Sequence, residues 1–430
     1  MLQTRGTPGD TGWFVHDRFG LFIHWGLYSL PARHEWVQHN ERISTEDYRK
    51  YFEHFDPDLY DPEQWAAAAA GAGMKYFVAT TKHHEGFCLW DSKLTDFKAP
   101  NTPAGRDLLG PMVEAFRAQG FRVGFYHSLI DWRHDQYLID PYVGPYRDDP
   151  ARAKMNASRD HAKYVEYLHG QVRELLTGFG RIDVLWCDYS FPQLGPEGKG
   201  RQAWRSEELY KLIRQLQPHV ILNDRLDLKE GWDVVTPEQI QPQAWLTVDG
   251  KPVVWEACQT FSGSWGYHRD EAGWKSVEQL VRMLIETVSC GGNLLLNVGP
   301  TGRGEFDRRA LDRLEGIGQW MKRHSRSIYG CTQAPEGFAA PADCRLTYDP
   351  RTNRMYVHVF AWPCGYLHME GFAGKVAYAQ LLNDASEVQM RGVPQWQAAK
   401  ATMRGKDVLT LTLPAVRPDV TVPVVELFMK

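Results

Sequence analysis

The sequence lacks long apolar runs and any strong excess of charge, and each absence excludes a class of protein. No stretch of 18 consecutive apolar residues occurs, which argues against a membrane-spanning helix and against a membrane partner. Lys and Arg number 49 against 53 Asp and Glu, for a formal net charge of -4. A nucleic-acid partner usually requires a basic face. We therefore expect neither a membrane nor a nucleic acid as a partner.

The cysteines show no regular spacing. There are seven of them, an odd number, and no pair has the C-x-x-C pattern. The chain therefore predicts neither a disulfide framework nor a zinc knuckle, and free thiols suit a reducing compartment. Residues 1–8 also lack the apolar centre of a signal peptide. From these two features we expect a cytoplasmic location.

Residues 1–335 alternate short apolar runs with amphipathic stretches. The runs predict strands at residues 19–25, 75–81, 122–127, 182–187, 220–222, 253–256 and 293–298. Helices are predicted at residues 63–73, 108–119, 159–177, 206–217, 276–288 and 308–325. Alternation of this kind indicates parallel β/α units, and their number favours a (β/α)8-like barrel over an open sheet. The segment near Val234 is the weakest strand candidate, so one strand of the barrel is expected to be irregular.

The pattern changes near residue 335. Alternating runs without a helical period occur at residues 354–360, 376–382, 408–413 and 422–429, with turn signals between or beside them. Such runs predict short antiparallel strands. We therefore expect two domains, a catalytic barrel over residues 1–335 and a small antiparallel β-sandwich over residues 336–430.

Polar and aromatic residues follow every predicted strand of the barrel. Strand ends of this fold carry the active site, at the face where the carboxyl ends of the strands meet. A single polar residue at such a place is often only the N-cap of the next helix. All seven predicted strands nevertheless end this way, in sequences rich in His, Trp and carboxylates. Together they predict one polar pocket lined by aromatic rings.

The residue types of this pocket suit glycoside hydrolysis. That reaction needs two carboxyl groups flanking the scissile bond. Asp188 follows an apolar run and should be held rigidly at a strand end, which suits a nucleophile. Arg225 or a nearby histidine would favour its ionised form.

Two alternatives come from other classes. A metal-dependent barrel hydrolase would use the strand-end histidines with Asp188; these histidines are His24, His83, His84 and His127. Against it, no H-x-H or H-E-x-x-H motif is present, and adjacent histidines on an extended strand would point to opposite faces. The second alternative is a non-catalytic sugar-binding protein on a decayed barrel, which the intact carboxylates disfavour.

Six segments carry a resemblance to a known family. They are residues 18–36 (RFGLFIHWGLYSLPARHEW), 75–92 (KYFVATTKHHEGFCLWDS), 124–132 (GFYHSLIDW), 182–190 (IDVLWCDYS), 262–271 (SGSWGYHRDE) and 291–306 (GGNLLLNVGPTGRGEF). In this order they resemble the α-L-fucosidases of glycoside hydrolase family 29. The resemblance implies a barrel followed by a β-sandwich, without a metal or organic cofactor. It also implies retaining hydrolysis of terminal α-L-fucose from glycans or glycosides, with transfucosylation and a homo-oligomer left open.

The resemblance also implies roles for individual residues. Asp188 stands at the nucleophile position of a segment usually written L-W-F-D-G, and Cys187 and Tyr189 are departures from that pattern. The sugar-contacting positions correspond to His24, Trp36, His83, His84 and Tyr126. Glu35 forms the E-W pair of the family with Trp36, and Arg225 lies in an N-D-R element; both are expected to contact the sugar.

The acid/base is assigned to one of two glutamates. Glu238 lies in VVTPEQ, which resembles a loop that carries the acid/base in many family members, and we favour it. Glu256 lies in VVWEACQTF, where the pair of Trp255 and Glu256 is also a family feature, and Trp255 is assigned to substrate binding. Partial burial of a loop carboxyl would raise its pKa. A retaining enzyme predicts carboxyl groups about 5–5.5 Å apart.

Overall fold

The described residues form one curved parallel sheet, two antiparallel sheets that follow it in the chain, and one two-stranded antiparallel hairpin. The computed structural model describes residues 4–391 and 407–430. The strands of those residues are β1 (Phe19–Ile23), β2 (Tyr76–Lys82), β3 (Arg122–Ser128), β4 (Val184–Asp188), β5 (Ile221–Leu222), β6 (Thr247–Val248), β7 (Lys251–Pro252), β8 (Glu256–Thr260), β9 (Asn293–Val298), β10 (Thr332–Gln333), β11 (Cys344–Asp349), β12 (Arg354–Val359), β13 (Tyr366–Glu370), β14 (Val376–Leu381), β15 (Gln389–Arg391), β16 (Val408–Thr412) and β17 (Val424–Met429).

The helices surround the parallel sheet. They are α1 (Gly12–Asp17), α2 (Val37–Asn40), α3 (Thr45–Glu53), α4 (Pro62–Gly71), α5 (Leu109–Ala118), α6 (Arg152–Asn156), α7 (His161–Gly178), α8 (Arg201–Trp204), α9 (Ser206–Leu216), α10 (Val277–Ser289) and α11 (Arg308–His324). Side-chain caps fix where the longer ones begin. Asp61 accepts two backbone amides at the start of α4, and Ser276 forms a capping box with Gln279 at the start of α10. In the described residues, no helix is long and apolar enough to cross a membrane.

Seven strands form the parallel sheet in the order β5-β4-β3-β2-β1-β9-β8. Its two edges are joined by the irregular segment 234–239. Val234 bridges to Asn223 beside β5, while Val235 bridges to Trp255 and Glu238 to Cys258, all in parallel. The sheet therefore curls into a barrel whose eighth strand is irregular, and the predicted barrel and β-sandwich architecture is confirmed.

The alternation of side chains along each strand divides the core into two layers. Leu21, Ile23 and Leu185 pack outward against the helices, in a large buried cluster. Phe22 and Trp186 point inward and belong to a second cluster that fills the barrel. Because side chains alternate with a period of two, every second residue from these positions to the end of the strand also points inward. The barrel interior is therefore a packed aromatic floor beneath the pocket.

One predicted strand is wrong. Residues 253–255 carry no strand of the parallel sheet, and β8 begins only at Glu256. The run VVW is buried in the loop that follows the β6–β7 hairpin. A buried loop is apolar, so its composition resembles that of a strand. Glu256 consequently lies at the amino end of its strand, away from the face where the carboxyl ends meet.

The smaller sheets lie after the barrel. One has five strands in the order β10-β11-β12-β17-β14, and the other has three in the order β13-β16-β15. Inward residues of both sheets, such as Val357 and Leu411, share one buried cluster. Apolar alternation thus predicted the strands beginning at Arg354, Val376 and Val408. The domain boundary at residue 335 stays a prediction.

Helix α11 holds the β-rich part against the barrel. Trp320 is buried, and its indole Nε1 donates to the carbonyl oxygen of Val422 at 2.8 Å. Its ring stacks on His324. Beyond the helix, Thr347 donates to the carbonyl oxygen of Ser327 at 2.7 Å. The two parts therefore share a buried, hydrogen-bonded contact.

We expect Trp320→Ala to lower the temperature of thermal unfolding by about 3–5 °C, because it leaves a cavity and an unpaired carbonyl in a chain of this length. Scanning calorimetry measures the change. Arg308→Ala on the same helix is the matched control, since Arg308 forms only an exposed ion pair with Asp312 and should shift the temperature by less than about 1 °C. Equal effects of the two substitutions would contradict the proposed role of the contact.

Candidate active site

A small pocket opens where the carboxyl ends of the barrel strands meet, with a volume of about 70 Å³. Strand geometry explains its lining. His24 lies two residues after inward-facing Phe22, and Asp188 lies two residues after inward-facing Trp186, so both side chains point into the pocket. The lining residues are Phe22, His24, Trp36, His83, His84, Tyr126, Trp186, Asp188, Tyr189, Arg225, Glu238, Cys258 and Trp265.

Asp188 is held from two sides. The hydroxyl of Tyr126 donates to its Oδ2 at 2.7 Å, and Arg225 Nη1 donates to its Oδ1 at 2.9 Å. Burial, then the charge of Asp188, raises the pKa of Tyr126 well above its usual range, so the phenol remains a donor. The Asp188 backbone oxygen accepts from the amide of Leu129. The carboxylate is therefore fixed in position, as a nucleophile requires.

One guanidinium joins Asp188 to Glu238. Arg225 Nη1 lies 2.9 Å from Asp188 Oδ1 and 2.9 Å from Glu238 Oε2. The two carboxylate oxygens are therefore no more than about 6 Å apart, which suits a retaining pair better than an inverting pair at about 6.5–9.5 Å. Arg225 is itself held by the hydroxyl and carbonyl oxygens of Thr236 and lies over the ring of Trp186.

Glu238 occupies the mouth of the pocket, where its side chain keeps 43% of its exposure. Partial burial raises the pKa of Glu238; the positive charge of Arg225 acts in the opposite direction, and the negative charge of Asp188 adds to the increase. A raised pKa is what a carboxyl group needs in order to act as a general acid.

The hydrogen bonds of His24 and His84 fix their tautomers. Asn297 uses its amide nitrogen to donate to a backbone oxygen, so its Oδ1 accepts from His24 Nδ1 at 2.6 Å. Ser128 likewise donates to a backbone oxygen and accepts from His84 Nδ1 at 2.7 Å. Burial, then the nearby charge of His83, lowers the pKa of both rings well below the usual range. Each neutral ring therefore has an Nε2 acceptor available for a sugar hydroxyl.

The expectation that His83 and His84 point to opposite faces is wrong. They lie beyond the end of β2, where the chain is no longer extended, and both line the pocket with ring centroids 4.0 Å apart. His127 is elsewhere, fully buried beside Thr81. Across residues 4–391 and 407–430, no group of three or more His, Cys, Asp or Glu side chains has an arrangement that could hold a metal ion.

Glu35 and Trp36 have different places. Trp36 lines the pocket, with its ring edge-on to His84 at 5.1 Å. Glu35 is buried behind the lining, where its Oε2 accepts the backbone amides of Trp265 and Gly266. Glu35 therefore holds the loop that carries Trp265, and its sugar contact stays a prediction.

Glu256 and Trp255 do not line the pocket. Glu256 lies in the barrel interior, fully buried, where Tyr76 donates to its Oε2 at 2.5 Å and Trp186 donates to its Oε1 at 3.3 Å. Burial raises the pKa of Glu256 to about 7, although both hydrogen bonds act to lower it. Trp255 is also fully buried, against Gly292. Of the two acid/base candidates, only Glu238 reaches the pocket.

Five lining residues carried no assignment from the sequence: Phe22, Trp186, Tyr189, Cys258 and Trp265. Phe22 and Trp186 could have been predicted from the sequence, because inward positions of a strand repeat every second residue. Trp265 lies in a loop without periodicity, and Cys258 lies within β8, whose start the sequence placed too early.

Comparisons with known proteins show which family the chain resembles. The family described as Alpha-L-fucosidase matches residues 7–326. Human plasma alpha-L-fucosidase is 30% identical over 394 residues, covering 84% of this chain and 78% of the human protein. Alpha-L-fucosidase isoenzyme 1 from Paenibacillus thiaminolyticus has a TM-score of 0.90 and 45% identity over 98% of both chains. A Bacteroides thetaiotaomicron GH29 alpha-L-fucosidase, trapped as a covalent intermediate with 2-fluoro-fucosyl fluoride, has a TM-score of 0.84 and 26% identity over 100% of this chain and 98% of its own.

Glu256→Gln should change how stability depends on pH. The pKa of Glu256 is about 7 in the folded protein against an ordinary 4.5. The favourable contribution of protonated Glu256 to the free energy of unfolding is therefore present below pH 4.5 and is lost as the pH rises through 7. Glutamine carries no charge at any pH. We expect the stability of the variant relative to wild type to increase by about 3 kcal/mol between pH 4.5 and about pH 8. Urea denaturation at both pH values measures this difference, and a difference that does not change with pH would contradict the burial of an ionisable Glu256.

Proposed function

The chain belongs to the α-L-fucosidase family, and we propose that it hydrolyses terminal α-L-fucose from glycans or glycosides with retention of configuration. The observation that carries the proposal is the pair of carboxyl groups, Asp188 and Glu238, joined through one nitrogen of Arg225. Their separation suits a covalent intermediate, and the raised pKa of Glu238 suits a general acid.

In the first step Asp188 is the nucleophile and Glu238 the general acid. The carboxylate of Asp188 attacks the anomeric carbon while Glu238 gives its proton to the departing glycosidic oxygen. The bond to the leaving group breaks as the bond to Asp188 forms, giving a fucosyl-enzyme inverted at that carbon. Tyr126 and Arg225 hold the Asp188 oxygens throughout.

In the second step Glu238 is the general base. It takes a proton from water, whose oxygen attacks the same carbon and releases Asp188, so the original configuration returns. Another sugar hydroxyl in place of water would give transfucosylation. The mouth position of Glu238 supports both outcomes, because the incoming hydroxyl must enter from solvent.

The rest of the pocket recognises the sugar. The Nε2 atoms of His24 and His84 accept hydrogen bonds from fucose hydroxyls, and the rings of Phe22, Trp186 and Trp265 provide apolar contact for the C6 methyl group. A methyl contact favours fucose over a sugar without that methyl by about 1–3 kcal/mol. The metal-dependent alternative is less well supported, because the described residues contain no group of three or more His, Cys, Asp or Glu side chains that could hold a metal ion.

Asp188→Gly should be inactive on an aryl α-L-fucoside, because the variant has no nucleophile. Azide is small enough to enter the space left by the carboxylate and attack the same face of the sugar. We expect azide to restore turnover and to give β-fucosyl azide, which product NMR identifies. Normal activity of Asp188→Gly without azide would contradict the assignment of the nucleophile.

Glu238→Ala in the same assay should respond to azide differently. The fucosyl-enzyme still forms with a good aryl leaving group, and azide then attacks it from the opposite face without needing a general base. The expected product is α-fucosyl azide. Glu256→Ala is the matched control, because Glu256 lies outside the pocket. Production of α-fucosyl azide by Glu256→Ala instead of Glu238→Ala would reverse the two assignments.

A further inference from the structure

Tyr189 has an unusual backbone conformation for its residue type. It directly follows Asp188, and its φ of 80° lies in the left-handed region that favours glycine. The family segment that this strand end resembles has glycine at the same position. A tyrosine here keeps a strained backbone, so the side chain must be held by its surroundings.

The ring of Tyr189 is packed among other rings. Its centroid lies 5.3 Å from that of Trp36, 5.0 Å from that of His84 and 5.4 Å from that of Phe191. The ring also lines the pocket. These contacts hold the phenol as a fixed wall of the pocket.

Exposure separates the deep end of the pocket from its mouth. His24, Tyr126 and Trp186 are buried. At the mouth Glu238 is exposed, and Tyr189 is partly exposed, as are Trp36, Arg225 and Trp265. The barrel interior closes the deep end with packed side chains. A leaving group can therefore extend from the sugar only through the mouth, where Glu238 and Tyr189 are among the lining side chains.

We propose that Tyr189 determines leaving-group specificity, with its ring forming an apolar surface for the group beyond the glycosidic bond. This inference rests on the proposed function, since it needs Glu238 on the leaving-group side. A flat ring favours an aryl group or a sugar that presents an apolar face. The proposal depends on the ring and not on the hydroxyl group.

Two substrates separate this role from a role in holding fucose. An aryl α-L-fucoside presents a ring to the mouth, whereas the leaving group of α-L-fucosyl fluoride is a single atom. We expect Tyr189→Ala and Tyr189→Gly to lower kcat/KM for the aryl fucoside by about tenfold, the loss of one good apolar ring contact. For fucosyl fluoride both should stay within about twofold of wild type, and inhibition by free fucose should be unchanged.

Three variants keep the result interpretable. Tyr189→Phe retains the ring and should match wild type on both substrates. Tyr189→Gly removes both the ring and the backbone strain, so its unfolding temperature should be no lower than that of Tyr189→Ala. A loss of kcat/KM that both variants share is therefore not caused by a folding defect. Tyr366→Ala, at an exposed tyrosine of the β-rich part, should leave both activities unchanged.

The outcomes distinguish the possible failures. An equal loss on fucosyl fluoride would place the ring in fucose binding and overturn the proposal, as would no loss on either substrate. Inactive wild type on both substrates would instead contradict the proposed function itself.

Discussion

The active site depends on one shared contact, in which a single nitrogen of Arg225 lies 2.9 Å from both Asp188 and Glu238. The contact sets the distance between the two carboxyl groups and hence the kind of reaction they support. Thr236 fixes the guanidinium, and Thr236 belongs to the irregular segment that closes the barrel. The same few residues therefore close the barrel and set the distance between the two carboxyl groups.

Three carboxyl groups of the barrel lie in three different environments. Asp188 accepts hydrogen bonds from Tyr126 and Arg225 at the pocket floor, and Glu238 has a raised pKa at the mouth. Glu256 has a raised pKa as well, but in the packed interior beneath the pocket, where substrate does not reach. A shifted pKa by itself therefore does not distinguish the two acid/base candidates; of the two, only Glu238 lines the pocket.

Regular periodicity allowed much of this site to be predicted from the sequence. Asp188 and His24 follow strands with clear apolar runs, and the structure places both in one pocket. Prediction failed where the chain is irregular. A buried loop before Glu256 has the composition of a strand, and the turn after β2 brings His83 and His84 to the same side.

Other features of the site could not be predicted from the periodicity of apolar residues. Trp265 reaches the pocket from a loop that Glu35 holds through backbone amides, a contact between distant parts of the chain. The left-handed conformation of Tyr189 depends on ring packing that no local pattern reports. The cytoplasmic location and the homo-oligomer stay predictions.

The central claim is that Asp188 forms the covalent bond to fucose, and labelling with 2-fluoro-fucosyl fluoride tests it most directly. The 2-fluoro group slows both steps, while fluoride departs readily, so the fucosyl-enzyme should accumulate. Mass spectrometry of the intact protein and of its peptides should find one 2-fluoro-fucosyl group, attached to Asp188, and none on Asp188→Asn. A label on Glu238 or Glu256, or an unlabelled protein that still turns over an aryl fucoside, would contradict the account.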